Sequence, residues 1–281
     1  MFADAAMGKV PRYFPPNLEW LQAWALLFRC HSTFSNYLGY VKTACLIVGT
    51  DVSIFGHPGV GRAKLSIKKA AQFTPRPKMW IRREKVAAML EWAREHTQFE
   101  SFAMLFLLAY SFLSRLPSEA LPVVAGRGTA SDAQSVLWKT DTEIILDLRV
   151  RKNTNGRCRI TRSCLCSEAA VTCPLHVLGP LVDACPEGQS LFPGMNRASV
   201  LCALRCLLEK VGVEKAGCYG THDLRRGHAL DLQLAGAPLF AILEAGGWRS
   251  PAFLKYLDLH QLDRDLVVQS HVAESSSDEE V

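Results

Sequence analysis

The chain has 281 residues, 49% of them hydrophobic, and a net charge of +5. That is enough apolar material for one large packed domain or two ordinary ones. The most apolar run, Phe102 to Leu113, is about a dozen residues, too short to span a bilayer, and MFADAAMGKV lacks the apolar centre of a secretory signal. No membrane partner is therefore expected. The ten cysteines point to reduced thiols or metal ligands rather than a disulfide framework. Four acids, Glu274, Asp278, Glu279 and Glu280, fall in the last eight residues; without them residues 1–273 carry +9. A basic body suits a polyanion such as DNA, and suits an ordinary basic enzyme as well.

Residues 1–16, with Pro11, Pro15 and Pro16, read as irregular. Apolar spacing predicts a helix from Asn17 carrying Leu18, Leu21, Trp24, Ala25 and Phe28, and a second from near Ser35 carrying Tyr37, Leu38, Val41 and Leu46. After a loop around Gly56 to Gly59, GRAKLSIKKAA bears Arg62, Lys64, Lys68 and Lys69. That cluster fits a face tracking phosphates or a solvated helix face. Residues 17–72 thus read as a small helical domain. FTPRPKM, Phe73 to Met79, reads as a stiff extended linker because of its two prolines.

Helices are expected from about Arg82 to His96 and from about Phe99 to Ser114, the second apolar throughout. Arg115 closes that helix within LSRLPSEAL, where the dipole favours a cation, so alone it fits a structural role as well as a chemical one. EIILDLRV, Glu143 to Val150, reads as a strand, Asn155-Gly156 as a hairpin turn, and RCRITR as the returning strand. Lys152 stands at the strand–turn junction; Lys139 precedes the strand. Cys164, Cys166, Cys173 and His176 match a structural zinc site in ligand type, though the C-x-C spacing is tighter than usual. Their other reading is free thiols at the start of a helix. Residues 177–184 and 197–212 read as helices, with Cys202 and Cys206 on an apolar face and taken as core.

Thr221 reads as an N-cap, with His222 in the first turn and Arg225 three residues on, on the same face. Two donors at a helix N-terminus suit a phosphate. Gly236, Ala237 and Pro238 break that helix. Then come Gly246-Gly247-Trp248, Ser250 and a helix bearing Tyr256, the only tyrosine after Tyr219. Residues 270–281 are acidic and serine-rich and read as disordered.

In this order, the arginine after a buried helix, the hairpin lysine, H-x-x-R, Gly-Gly-Trp and a final tyrosine resemble the catalytic core of the tyrosine recombinases, the phage integrase family. GGWRSPAFLKYL is similar to eukaryotic mobile-element members of the Crypton and DIRS-like kind. The resemblance covers residues 80–266 well and 17–75 weakly. It implies a mainly α fold with a small β-hairpin or sheet (α+β), an integrase-like catalytic domain at 80–269 and a core-binding-like domain at 17–72. Two departures are visible. Tyr256 lies eight residues after Trp248, where many bacterial members have nine. Glu119 follows Arg115 by four residues rather than three, with Pro117 between.

The resemblance implies that Arg115 and Arg225 grip a DNA phosphate and that Tyr256 attacks it, forming a phosphotyrosyl intermediate. His222 would act on the tyrosine proton, whose ordinary pKa is about 10. Lys152 would protonate the leaving 5′ oxygen, and Trp248 would offer its indole N–H. No cofactor is needed for that chemistry, since arginines take the place of metal cations. Implied partners are double-stranded DNA and three further copies of the chain, as a homo-tetramer. A eukaryotic host implies the nucleus, any other the cytoplasm on DNA. Two alternatives share the residues: a type IB topoisomerase, and an inactive domesticated element protein that only binds DNA. G-x-S-x-G, H-E-x-x-H and Walker lysine motifs are absent.

Overall fold

The computed structural model describes residues 16–70, 77–128, 133–152 and 156–248. The irregular N-terminus, most of the 73–79 linker, Asn155, Ser250, Tyr256 and the acidic tail lie outside the described residues. The chain divides into two compact units, Met1–Arg76 and Pro77–Val281. Among the described residues no helix is long and apolar enough to cross a membrane.

The first unit holds α1 (Leu18–Ala25), α2 (His31–Ile47) and α3 (Pro58–Ala70). Asn17 caps α1, its side-chain oxygen accepting from the Trp20 N–H at 2.8 Å. Phe34, Leu38 and Cys45 of α2 close over Leu21, Ala25, Val60 and Ile67. Helix α2 begins four residues before the expected Ser35, because its polar first turn hides the start. Phe28 falls beyond α1 and instead packs edge-on against Trp24, 5.2 Å between centroids.

The second unit is mainly α with one small sheet. It runs α4 (Arg83–Arg94), α5 (Glu100–Ser111), β1 (Val124–Ala125), β2 (Val136–Lys139), β3 (Glu143–Leu148), β4 (Cys158–Ser163), a single turn α6 (Cys166–Ala169), then α7 (Pro174–Ala184), α8 (Arg197–Lys210), α9 (His222–Leu234) and α10 (Leu239–Gly246). Helix α5 is apolar on every side, which suits only a central position. Its Leu105, Phe106, Leu107, Leu108 and Ala109 have no exposed surface. Helices α4, α7, α8 and α9 pack around it. The sheet order is β1-β2-β3-β4, with β1 parallel to β2 and the rest antiparallel. Leu146 of β3 stands between Leu137 of β2 and Ile160 of β4 and faces the core. On the other face Val136, Trp138 and Ile145 form a small second cluster.

Lys139 precedes β3 as expected; it ends β2, and its ammonium pairs with Asp183 at 2.9 Å. Two expectations are corrected. Cys202 and Cys206 are not core; the buried stripe of α8 is Val200, Ala203, Leu204, Leu207 and Leu208, which turns both cysteines outward. Thr221 makes no capping hydrogen bond. Asp223, in the first turn, instead reaches back to the residue before Thr221, its carboxylate accepting from the Gly220 N–H at 2.8 Å.

The chain enters the second unit pressed against α9. The Ile81 N–H donates to the Asp223 carbonyl at 2.9 Å. One turn further along α9, a Cβ on Gly227 would sit 1.7 Å from the Ile81 carbonyl oxygen, so only glycine permits this approach. Backbone cannot yield as a flexible side chain can. Gly227→Ala is therefore expected to lower stability by about 3 kcal/mol, read by urea unfolding, whereas alanine at the exposed Gly217 of the same unit meets open space and should cost little.

Candidate active site

The first sequence-singled residue, Arg115, follows a sharp stop of α5. Leu113 takes a left-handed backbone conformation at φ 47°. The Ser114 N–H then reaches back to Ala109 and the Leu113 N–H to Tyr110, closing the helix end without glycine. A side chain in that conformation costs about 1–2 kcal/mol, and burial of Leu113 against Trp248, Ile242 and Leu239 offsets it. The next residues, Leu116–Ala120, form one wide π turn. In it the Glu119 N–H donates to the Arg115 carbonyl at 2.8 Å and the Leu121 N–H to that of Leu116 at 2.9 Å. The wide turn accommodates the four-residue spacing from Arg115 to Glu119. The Glu119 carboxylate accepts from the Arg115 backbone N–H at 2.8 Å and from its guanidinium at 2.5 Å.

Glu119 is 3% exposed, and its second oxygen lies 3.8 Å from Nη1 of Arg225. One buried carboxylate thus joins two arginines 110 positions apart in the chain. Arg225 is fully buried on the second turn of α9. Its Nη2 donates to the Gly246 carbonyl, and its guanidinium lies over the Trp248 ring, 4.6 Å from the centroid. Trp248 is held by its own N–H, which donates to Leu243 at 3.0 Å. Its ring fills the space where a Cβ on Gly246 would go, which is why that position is glycine.

His222 opens α9 one turn before Arg225 and is exposed. The protein packed beside it, and then the charges of Arg225, Arg226, Arg115 and Arg197, push its pKa below the ordinary value. The imidazole is consequently neutral at neutral pH, able to take a proton or to donate a hydrogen bond. Arg226 is held by Asp223 at 2.6 Å.

Lys152 is exposed at the start of the β3–β4 turn. Its neighbour Arg151 is 2% exposed, and sequence reasoning missed it. The Arg151 guanidinium donates to the carbonyls of Ala245 at 3.1 Å and Leu113 at 3.4 Å. The hairpin is thereby tied to the segments ending in Arg115 and Trp248. No sequence signal marks it, because an arginine beside a hairpin turn ordinarily reads as solvated. Glu119 had a signal, its position just after Arg115, but not its link to Arg225. Of the six expected residues, the structure joins Arg115 and Arg225 through Glu119, sets Trp248 against Arg225, places His222 where the charges of both arginines reach it, puts Lys152 beside Arg151, and leaves Tyr256 outside the described residues.

Cys164, Cys166, Cys173 and His176 also converge, their ligand atoms all within 4.8 Å of one another. Nδ1 of His176 lies 3.5, 3.0 and 3.4 Å from the sulfurs of Cys164, Cys166 and Cys173. Burial would raise the Cys173 pKa, but hydrogen bonds from His176 and from the Leu165 N–H prevail and bring it to about 6. The protein around Cys166, with its two thiol neighbours, pushes it up to about 12.

No family model matches this sequence, and no curated protein sequence matches it. Solved structures do. A Tn1549 transposon integrase in complex with circular intermediate DNA is similar at a TM-score of 0.54 and 14% identity, over 90% of this chain and 84% of that one. A XerH site-specific recombinase bound to a palindromic difH substrate is similar at a TM-score of 0.46 and 15% identity; this chain spans about half of it, 52%, with 70% of its own length. A XerA recombinase is similar at a TM-score of 0.41 and 15% identity. The first of these likenesses shows the fold, that of an integrase-like α+β catalytic domain.

Two outcomes test this geometry. Glu119→Ala leaves two guanidiniums crowded around a lost carboxylate and should cost about 3–5 kcal/mol in chemical denaturation. The second concerns His228, whose ring stacks on Tyr110 with centroids 4.6 Å apart. Burial depresses its pKa to about 4, whereas an unfolded imidazole titrates near 6.5. The unfolded chain takes the proton first, so stability is complete above about 6.5 and falls by about 3 kcal/mol as pH drops towards 4. His228→Gln should flatten that part of the pH–stability curve.

Proposed function

We propose that this protein breaks and rejoins DNA strands through a covalent 3′-phosphotyrosyl intermediate, as a tyrosine recombinase. The observation that carries the reading is the meeting of Arg115 and Arg225 on Glu119, with Trp248 against Arg225 and His222 one turn before it on α9. Two guanidiniums can hold the non-bridging oxygens of one phosphate in a fixed fork and stabilise the charge that grows on them. Support for DNA as partner comes from the similar transposon integrase, which is in complex with DNA.

In this reading Tyr256 supplies the nucleophile. Trp248, eight residues before it, is anchored on Arg225, and eight residues reach no further than about 28 Å in any conformation. The phenolic oxygen forms a bond to phosphorus as the bond to the 5′ oxygen breaks. His222 receives the phenol proton, and Lys152 gives one to the leaving oxygen. The reverse attack by a 5′ hydroxyl restores the strand and releases Tyr256. The two arginines carry the charge for which other phosphoryl-transfer enzymes use metal ions, so the step asks for no cofactor. The Cys3His group contributes no atom to this set, and the structural zinc it suits takes no part in the step. We extend the reading to a core-binding-like role for residues 17–72, to a tetramer on two duplexes and to a mobile-element origin of the Crypton or DIRS-like kind, with action in the nucleus of a eukaryotic host.

The test is a pool of nicked duplexes of random sequence, in which the nick lets the cleaved end diffuse away and traps protein on DNA. A detergent-stable adduct should form with the native chain. Tyr256→Phe should abolish it while retaining DNA affinity, and Arg225→Ala should reduce it at least about a hundredfold. Equal DNA binding with no adduct from the native chain on any duplex would leave a DNA binder and overturn the enzymatic reading.

A further inference from the structure

The cysteine–histidine group sits where β4 ends. Cys164 follows the last residue of that strand, and its N–H donates to the Thr142 carbonyl at 3.0 Å in the β2–β3 turn. Cys173 precedes α7, and His176 lies in its first turn. A tetrahedral zinc ion with Zn–S of about 2.3 Å and Zn–N of about 2.0 Å separates sulfurs by about 3.8 Å and sulfur from nitrogen by about 3.5 Å. The Cys164 and Cys173 sulfurs are 3.9 Å apart, and the three sulfur–nitrogen distances run from 3.0 to 3.5 Å. The Leu165 N–H points at the Cys173 sulfur from 3.2 Å, the kind of donor that steadies a bound thiolate. Three thiolates and an imidazole select zinc over magnesium or calcium.

Two residues before Cys164 stands Arg162. Its Nε donates to the Ser111 carbonyl, the last of α5, at 2.7 Å, and its guanidinium lies over the Phe112 ring at 5.6 Å. Ser111 is four residues before Arg115. Leu165, Thr172 and Pro174, from the cysteine–histidine loop, share one cavity of 380 Å³ with Arg162, Ser111 and Ala245. That loop is therefore a wall of the space beside the two helix ends that frame the arginine site.

We propose that Cys164, Cys166, Cys173 and His176 hold one zinc ion, which pins the end of β4 so that Arg162 keeps its hold on Ser111 and fixes the chain leading to Arg115. Arg162 acts here as a positioning residue. The zinc site and its mechanical effect stand without any DNA chemistry; only the importance of Arg115 rests on the recombinase reading.

The full chain, purified without chelator, should release one equivalent of zinc when its thiols are titrated with a mercurial, measured with a zinc dye. Cys166→Ser should lose that zinc, and cobalt should replace it with the absorption of a tetrahedral thiolate site. Amide hydrogen exchange reads the second half. Stripping zinc should speed exchange at Ser114 and Arg115 about tenfold or more while α8 stays protected. Arg162→Gln should retain zinc and give the same local increase. A metal-free native chain, or iron in place of zinc, overturns the site. Unchanged exchange at Ser114 and Arg115, or an increase spread equally over α8, overturns the route through Arg162. A zinc-loaded chain that passes both tests but forms no DNA adduct overturns the recombinase reading and not this one.

Discussion

A single buried carboxylate, Glu119, brings Arg115 and Arg225 together in the second unit. Two guanidiniums brought side by side repel: unit charges about 4 Å apart interact by about 4 kcal/mol at an effective dielectric constant near 20. Glu119 cancels one of those charges and gives both arginines a common geometric reference. Arg115, Arg225 and Glu119 together carry +1, next to a histidine whose pKa is pushed down by burial and then by the neighbouring arginines. One phosphate diester would neutralise that charge. A site built in this way would hold an anion without being so positive that it forces its own helices apart, and the π turn at Leu116–Ala120 brings the carboxylate to Arg115.

A second device repeats around that carboxylate. Helix C-termini expose carbonyls and the negative end of the dipole. The ends of α5 and α10 both converge here, and guanidiniums cap them: Arg162 on Ser111, Arg151 on Leu113 and Ala245, Arg225 on Gly246. Arg151 bridges the two ends, so the hairpin bearing Lys152 cannot shift without disturbing the segments that bear Arg115 and Trp248. Rigidity near the site comes from cations on backbone carbonyls rather than from apolar packing alone. The small cluster of Leu113, Ala229, Leu239, Ile242 and Trp248 would be a thin core by itself.

The sequence made the α+β class legible because its signals were local and long. An unbroken apolar helix, an Asn-Gly turn between β-rich runs and the Gly236-Ala237-Pro238 break each say one thing. Strands β1 and β2 were missed because two and four residues carry too little pattern to separate from loop. Cys202 and Cys206 misled because cysteine counts as apolar in a periodicity argument, yet the stripe of α8 runs one position away. Thr221 misled because its backbone is already helical, φ −60° and ψ −26°, rather than the extended conformation from which a cap side chain reaches the first-turn N–H groups. Arg151 was illegible for a different reason. Its partners lie 38 and 94 residues away, so its burial is a property of the finished fold and of nothing near it in the chain.

Arg115 and Arg225 illustrate how the same residue type can be readable in one sense and opaque in another. Each stood out by motif, but each also had an ordinary structural use, one at a helix C-terminus and one inside a helix. The structure shows the structural use of each, and the proposed chemistry adds the other. Arg225 is fully buried and holds a carbonyl, so it is part of the frame, while Glu119 and Trp248 aim it at the same place as Arg115. That double duty is physically economical: a side chain fixed by the fold loses little further freedom when it grips an anion, and a clamp ordered in advance spends less of its binding energy on ordering itself. The chemistry proposed for Tyr256 needs such a clamp, because a phenol is a weak nucleophile towards a charged diester, and only a phosphate already held and neutralised lowers the barrier enough for it to attack.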